Sequence, residues 1–177
     1  AVRYGNVLES RGSIIPLFKY QSENQEFLTL TSKKMTRFVM TLNESVDLIL
    51  NAIKYGNSGD LWVPKLNSMK IVDLAEIFAD MSGKQIKKID IRPGEKLDEM
   101  LISKSESPRV ISAPVSGYFV VKPINETKYF KEENVFSYSS ADSVMSKKDL
   151  MTYLEELGIL TANIEDFKGQ NIEEIRK

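Results

Sequence analysis

Apolar residues along this chain recur at helical spacing in some segments and in short runs in others. Helical spacing predicts four helices, whose N-caps we place at Ser13, Asn43, Ser68 and Ser146. Short apolar runs predict strands at residues 2–7, 27–30, 61–63, 86–91 and 118–121. Polar turns are predicted at residues 33–38 and 92–96. The alternation of strand and helix predicts an α/β or α+β architecture.

The second predicted helix has the clearest amphipathic pattern. Its apolar residues fall at i, i+3, i+4 and i+7, and they are Val46, Ile49, Leu50 and Ile53. Gly56 follows as a stop signal, and Gly83 and Gly158 play the same part for the third and fourth helices. Residues 103–146 carry weaker signals, and we expect the Glu- and Lys-rich end of the chain to be frayed.

Composition narrows the chemistry that this chain supports. Of its 177 residues, 42% are hydrophobic and 28% are charged, the net charge is -1, and neither cysteine nor histidine occurs. Without these two residue types, disulfides, thiol catalysis, a Ser/His/Asp triad and the common transition-metal sites are excluded, and we predict no metal site. The small net charge and the lack of a long apolar run predict a cytoplasmic protein that binds neither nucleic acid nor a membrane.

A first candidate site lies in the polar loop after the opening strand. Asn6 donates hydrogen bonds through its amide, Arg11 carries a planar guanidinium, and a helix N-terminus after Ser13 adds partial positive charge. These groups suit a diphosphate. The alternative is a capped turn with a surface arginine, and the residue types by themselves favour it.

A second candidate site surrounds Arg37. This arginine, between Thr36 and Phe38, would bond a phosphate while the strand ending near Thr31 holds a planar base. The alternative is a solvated turn whose basic residues keep it soluble, and spacing alone favours that reading.

A third candidate site is the turn at residues 92–96. Its Pro-Gly pair brings Arg92 close to Glu95. The guanidinium suits a phosphate, and the carboxylate suits vicinal hydroxyls such as those of a ribose, since it accepts from both. The alternative is a surface ion pair between the two side chains, which would contribute little to stability.

Taken in order, four motifs of the chain resemble one enzyme family. They are RYGNVLESRGSIIP at residues 3–16, LTLTSKKMTRF at 28–38, DLWVPK at 60–65 and RPGEK at 92–96. The chain resembles the carboxyl-terminal half of UDP-N-acetylglucosamine 4,6-dehydratases, which are extended short-chain dehydrogenase/reductases of polysaccharide and glycan biosynthesis. The resemblance is strongest from residue 1 to about residue 103. It implies the end of a truncated Rossmann domain at residues 1–26, a small α/β UDP-sugar-binding lobe at 27–145, and a C-terminal helix and tail at 146–177.

The resemblance also implies which residues bind the ligands. Residues implied to contact the UDP-sugar are Asn6, Ile14, Thr31, Arg37, Arg92 and Glu95. Residues implied to line NADP near its nicotinamide are Val7, Leu8, Glu9, Ser10 and Arg11. Glu9 departs from the family, whose members usually carry Gly or Ala there, and it adds a negative charge beside the expected cofactor.

The implied reaction needs groups that the family carries upstream of these motifs. In the family, NADP takes a hydride from C4 of the sugar, water leaves across C5 and C6, and the hydride returns to C6. The glycine-rich NADP loop and the catalytic Tyr-x-x-x-Lys pair lie upstream. We therefore expect a missing N-terminal half, no catalytic residue and no activity in this chain alone, and a homo-oligomer at full length. We also expect apolar surface that the missing half would cover.

Two other functions remain open from the sequence. A UDP-hexose 4-epimerase of the same superfamily would bind UDP in the same way and keep the C6 oxygen. A non-catalytic nucleotide-sugar sensor or interaction domain would keep the lobe without the reaction.

Overall fold

The structure, a computed structural model, describes residues 1–160, so the predicted frayed end of the chain lies outside the described residues. It comprises two compact units. The first contains Ala1–Val7, Arg37–Ser68 and Asp98–Ser143, and the second contains Leu8–Thr36, Met69–Leu97 and the chain from Val144 onward. Each unit therefore combines separate stretches of chain, whereas the segments implied by the resemblance are continuous. Compactness does not test which segment binds which ligand, so that division stays a prediction.

In the described part of the chain, four α-helices form, as the apolar spacing predicts. They are α1 (Ile14–Asn24), α2 (Leu42–Tyr55), α3 (Ile71–Ser82) and α4 (Lys147–Glu156). The strands are β1 (Asn6–Val7), β2 (Phe27–Leu30), β3 (Thr36–Met40), β4 (Leu61–Pro64), β5 (Ser68–Lys70), β6 (Gln85–Lys88), β7 (Met100–Ile102), β8 (Val110–Ser112), β9 (Tyr118–Val121) and β10 (Tyr138–Ser139). Within residues 1–160, no helix has both the length and the apolar character needed to span a bilayer.

The first unit is built around the antiparallel sheet β4-β9-β8. Trp62 of β4 lies opposite Val120 of β9, and it packs with Leu48 of α2 in a buried cluster. A second cluster joins Phe38 to residues of β4, β7, β8 and β9. The short strands β10 and β7 pair antiparallel, and β1 runs parallel to β3. Burial of these clusters is the main favourable contribution to the stability of this unit.

The second unit packs helices on a parallel pair of strands, β2 and β6. Helices α1 and α3 both contact β2, and α3 also contacts α4. The rings of Phe18 and Phe78 meet between α1 and α3 with centroids 6.0 Å apart. The predicted apolar face of α3 is buried, as its spacing requires, and consists of Ile71, Leu74, Ala75 and Phe78.

Two of the four predicted helix caps are wrong. Thr41, not Asn43, caps α2 through a capping box in which its hydroxyl accepts from the backbone N–H of Glu44 and the Glu44 carboxylate accepts from the backbone N–H of Thr41. Ser68 lies in β5, and its hydroxyl donates to the carbonyl of Ser143 at 2.7 Å. Ser146 caps α4 as predicted, whereas Ser13 occupies the N-cap position of α1 without forming a side-chain capping bond.

Several predicted strand bounds also change. The opening strand is limited to β1, preceded by one bridge between Val2 and Trp62. The strand at 86–91 ends at Lys88, and the turn predicted at 33–38 gives way to β3 at Thr36. Strands β8 and β10 also form in the segment whose signals are weak. Strand β8 pairs antiparallel with the nearby predicted strand β9. Strand β10 depends on β7, a partner far away in the sequence, rather than on its own pattern.

Candidate functional site

The carboxyl ends of β2 and β6 meet at one edge of the second unit. Their parallel register pairs Leu30 with Lys88, and the backbone N–H of Ile89 donates to the Leu30 carbonyl at 2.9 Å. Thr31 directly follows β2, and the turn Arg92–Glu95 follows β6. In α/β folds, ligands bind at this edge of parallel strands. The pairing thus brings together two motifs that are about 60 residues apart.

The Glu95 carboxylate is the meeting point of these two motifs. Its Oε1 atom accepts a long hydrogen bond of 3.5 Å from the Thr31 hydroxyl, and Oε2 accepts from the Arg92 backbone N–H at 3.2 Å. The Glu95 N–H donates to the Arg92 carbonyl at 3.0 Å, and Gly94 takes a positive φ of 82°, as the Pro-Gly turn requires. Both carboxylate oxygens are held by weak bonds and keep accepting capacity for a ligand hydroxyl.

Arg92 is exposed at the tip of this turn. Its guanidinium forms no hydrogen bond or ion pair with any residue in the described part of the chain, and the surface ion pair with Glu95 considered as the alternative is not formed there. The turn therefore presents an available cation beside a carboxylate that a hydroxyl group can approach.

An open groove of about 670 Å³ runs along the same edge of the second unit. Thr31 is one of its lining residues, together with the apolar side chains of Leu30, Ile86 and Ile89. Three lysines that the sequence reasoning did not select as ligand-binding also line it, namely Lys33, Lys34 and Lys88. Lys33 and Lys34 are adjacent in the loop after β2, and the pairing of β2 with β6 brings Lys88 to the same groove.

Asn6 and Arg37 lie on neighbouring parallel strands in the first unit. Asn6 pairs with Val39, two residues beyond Arg37 on β3, so the register places Asn6 and Arg37 on the same face of the sheet. The Asn6 side chain is exposed and bonds to none of residues 1–160. The Arg37 side chain is only 13% exposed, and its Nε lies 3.7 Å from Glu99 Oε1. Arg37 is therefore not part of a solvated turn.

The loop between β1 and α1 contains a strained backbone position at Glu9. Its φ is 57°, in the left-handed region that favours glycine, and within residues 1–160 no other non-glycine residue has a positive φ. Its carboxylate accepts from Lys19 of α1, whose side chain is only 5% exposed. The negative charge that Glu9 adds is thus neutralised by a lysine that the sequence reasoning missed.

The other predicted cofactor and substrate residues lie along this loop and at the start of α1. Val7 is half-buried at the end of β1, and Leu8 is half-buried in the turn that follows. Ser10 and Arg11 are exposed, and their side chains bond to nothing in residues 1–160. Ile14 is half-buried as the first residue of α1. Nothing in this geometry tests their predicted ligand contacts, which stay predictions.

One Tyr-x-x-x-Lys spacing does occur in the chain, at Tyr118 and Lys122. Tyr118 lies at the start of β9 and Lys122 follows its end, so extended backbone separates their Cα atoms by about 13 Å. Tyr118 packs against Trp62, and the Lys122 ammonium is buried against Asp60. The spacing is therefore structural, and the expectation that this chain carries no catalytic pair stays a prediction.

Arg3 forms a bidentate ion pair with Glu106 that was not predicted from the sequence. Its Nη1 and Nη2 atoms donate to the two carboxylate oxygens of Glu106 at 2.9 and 2.6 Å, and Nη1 also donates to the Leu101 carbonyl. The hydrogen bonds from Arg3 lower the pKa of Glu106 from 4.5 to about 2. This pair ties the start of the chain to the segment after β7 in the first unit.

Glu106→Gln is expected to lower the free energy of unfolding by about 2 kcal/mol at pH 7, once solvent screening of a partly exposed pair is allowed for. Because the folded-state pKa of Glu106 is depressed, its contribution is complete above pH 4.5 and declines as the pH falls toward 2. Urea unfolding at pH 7 and pH 3 should therefore show a smaller gap between variant and wild type at pH 3. Glu133→Gln, at an exposed residue, is the control, and a gap independent of pH would contradict the assignment.

Comparisons with known proteins agree on one family. A family model described as "Polysaccharide biosynthesis protein" matches residues 1–122. The chain is 41% identical over 138 residues to a UDP-glucose 4-epimerase of Rickettsia rickettsii, covering 73% of this chain and 39% of the relative. It is 36% identical over 163 residues to a UDP-N-acetylglucosamine 4,6-dehydratase (inverting) of Campylobacter jejuni, covering 91% of this chain and 47% of the relative.

A solved structure shows the same fold. Pen from Bacillus thuringiensis superposes with a TM-score of 0.79 and 31% identity, over 89% of this chain and 50% of that protein. The chain thus spans about half, or less, of the length of the relatives that it matches.

Proposed function

Because this chain belongs to the polysaccharide biosynthesis protein family, we propose that it binds a UDP-sugar as the substrate-binding part of a nucleotide-sugar 4,6-dehydratase. Its fold is the α/β fold of the carboxyl-terminal part of an extended short-chain dehydrogenase/reductase. In this proposal, Arg92 binds a phosphate of UDP, Glu95 accepts from the ribose hydroxyls, and Thr31 contacts the uridine. Asn6, Ile14 and Arg37 are proposed as further substrate contacts.

One observation supports this proposal most directly. Thr31, Arg92 and Glu95 meet at the carboxyl edge of β2 and β6, with an available guanidinium beside a carboxylate that is only weakly hydrogen-bonded. A phosphate next to a pair of vicinal hydroxyls has the complementary chemistry, and a ribose phosphate presents both groups together.

We propose NADP as the cofactor of the whole enzyme, with residues Val7 to Arg11 beside it. The loop suits an anionic ligand, since Arg11 is exposed and the Glu9 carboxylate is neutralised by Lys19. When bound, NADP supplies a nicotinamide that accepts and returns a hydride. The role proposed for this chain is to contact NADP near its nicotinamide end and to orient the sugar. We further propose a cytoplasmic, homo-oligomeric enzyme whose catalytic residues lie outside this chain.

The dehydratase is favoured over the epimerase by the extent of the similarity. The Campylobacter jejuni relative aligns with 91% of this chain, whereas the Rickettsia rickettsii epimerase aligns with 73% at somewhat higher identity. The epimerase remains the second candidate. Mass analysis of the product formed by the full-length enzyme distinguishes them, because only the dehydratase releases a water molecule from the sugar.

Isothermal titration of the 177-residue chain with UDP tests the binding proposal. We expect the wild-type chain to bind UDP. Arg92→Ala is expected to weaken UDP binding about tenfold, because it removes a charge-assisted hydrogen bond in a solvated site. Glu95→Gln is expected to weaken the binding of uridine as well as of UDP, because the proposed contact of Glu95 is with the ribose, which both ligands contain.

Lys148→Ala is the matched control, since Lys148 is an exposed cation on α4 without a bond to any other residue of the described chain. Equal affinity of wild type and Arg92→Ala for UDP would contradict the proposed phosphate contact. UDP binding by the chain without any turnover at full length would instead favour the nucleotide-sugar sensor.

A further inference from the structure

Helix α2 carries a stripe of exposed aliphatic side chains along its whole length. The stripe, which we call the α2 stripe, consists of Leu42, Val46, Ile49, Leu50 and Ile53. Each of these side chains is between 38% and 75% exposed. At 3.6 residues per turn the five positions fall within an arc of roughly 100°, the width of a buried helix face.

The α2 stripe is separate from the face by which α2 packs on its own unit. That inward face is formed by Ser45, Leu48 and Ala52, and Leu48 is fully buried against Trp62. A third face is polar and carries Asn43, Asp47 and Asn51. Helix α2 thus has an inward face that packs on its own unit, a polar face and an additional apolar face. Besides the inward face, Asn51 attaches the helix to this unit, because its side-chain amide donates a long hydrogen bond of 3.4 Å to the Tyr118 hydroxyl.

The chemistry of the α2 stripe is that of a domain core. It contains only leucine, isoleucine and valine, the residues most often fully buried in folded domains. Surfaces that join separately folded proteins are instead enriched in aromatic residues, methionine and arginine. Within the stripe, Leu42, Val46, Ile49 and Ile53 are spaced alternately by four and three residues, the spacing at which a helix packs on another element.

The relatives indicate what covers this face. They share the matched region but are about twice as long, so their fold holds a further portion that this region can pack against. We propose that the α2 stripe is a core interface for that further portion of the dehydratase fold, rather than for a second copy of this chain. This inference concerns packing and does not depend on UDP binding.

The same substitutions should be tolerated in the 177-residue chain and destabilising in a longer protein that contains it. In the 177-residue chain, Ile49→Lys/Ile53→Lys is expected to leave the melting temperature within about 2 °C of wild type, because both side chains are exposed. In a hybrid, the aligned 163 residues of the Campylobacter jejuni relative are replaced by this chain. There the same pair is expected to lower the melting temperature by roughly 10 °C, because two ammonium groups would enter a core.

Asn43→Lys/Asp47→Lys is the matched control, with the same i, i+4 spacing on the polar face of α2, and it should change neither melting temperature by more than a few degrees. Coexpression of the tagged 177-residue chain with the untagged remainder of that relative gives a second measurement, in which wild type and control capture the remainder and the stripe variant does not.

Three outcomes would overturn the proposal. The first is that Ile49→Lys/Ile53→Lys is tolerated in the hybrid as well as Asn43→Lys/Asp47→Lys. The second is that sedimentation of the 177-residue chain shows a dimer that Ile49→Lys/Ile53→Lys abolishes and the control variant does not, which would assign the face to a second copy. The third is that the wild-type chain neither folds in the hybrid nor captures the remainder of the relative.

Discussion

Lys122→Met is expected to lower the free energy of unfolding by about 3–5 kcal/mol, because it leaves the Asp60 carboxylate buried without its counter-charge. The Lys122 ammonium donates to Asp60 Oδ1 at 2.5 Å, and the two side chains are 3% and 4% exposed. Asp60 precedes β4 and Lys122 follows β9, so the pair closes one end of the central sheet of the first unit. The loss is a large part of the stability of a domain of this size.

The double variant Asp60→Asn/Lys122→Met separates lost charge pairing from lost packing. It removes both charges, and the asparagine amide oxygen still accepts the hydrogen bond that Asp60 Oδ2 receives from the Asn57 N–H at 2.9 Å. Replacing a buried ion pair by uncharged groups of similar size is often nearly neutral. We therefore expect the double variant to recover most of the stability in urea unfolding at pH 7. A double variant as unstable as Lys122→Met would show that packing, and not the unpaired carboxylate, is responsible.

Glu9→Gly is expected to destabilise the second unit by about 2 kcal/mol even though it relieves backbone strain. A glycine at a φ of 57° removes a strain of about 1 kcal/mol. It also leaves the Lys19 ammonium, which is 5% exposed, without its carboxylate, and an unpaired buried charge costs more than the strain. The net loss is reduced because Glu9 itself is 36% exposed and water reaches that end of the pair.

Two further variants complete the comparison. Lys19→Met should stay within about 1 kcal/mol of wild type, since the Glu9 carboxylate that it leaves is solvated. Glu9→Gly/Lys19→Met should be the most stable of the four proteins, because it relieves the strained backbone and leaves no buried charge. Urea unfolding at pH 7 gives the order directly. A Glu9→Gly variant more stable than wild type would show that the ion pair contributes less to stability than the strained backbone costs.

The helices could be predicted because their information is local. In α1, α3 and α4, the apolar residues recur from one helical turn to the next, so a short window of sequence is enough to recognise each helix. The cap of α4 is equally local, because the N–H that the Ser146 hydroxyl accepts from lies only three residues later. The cap of α2 was also within reach, since Thr41 and Glu44 have the spacing of a capping box, a stronger signal than an asparagine alone. Ser68 offered no such signal, because its partner, the Ser143 carbonyl, lies 75 residues away.

The residues of the candidate site were selected from short sequence motifs, because the periodicity of apolar residues that predicts helices carries no information about them. The Pro-Gly turn predicts that Arg92 and Glu95 are close, but nothing local predicts that the Thr31 hydroxyl reaches the Glu95 carboxylate. That contact depends on the parallel pairing of β2 with β6. Lys19 was missed for a related reason, since its burial and its pairing with Glu9 follow from the packing of α1. The Tyr118–Lys122 spacing shows the reverse case, a motif whose strand context gives it no catalytic geometry.

The interleaving of the two units constrains how this chain can be divided. The chain passes between them five times, as six alternating stretches, so any single cut leaves at least one unit without one of its pieces. Shortening the gene from either end therefore does not isolate one unit for study. Split-reporter fusions and loop insertions are better placed in exposed turns such as Ser58–Gly59, where the chain stays within one unit on both sides of the joint.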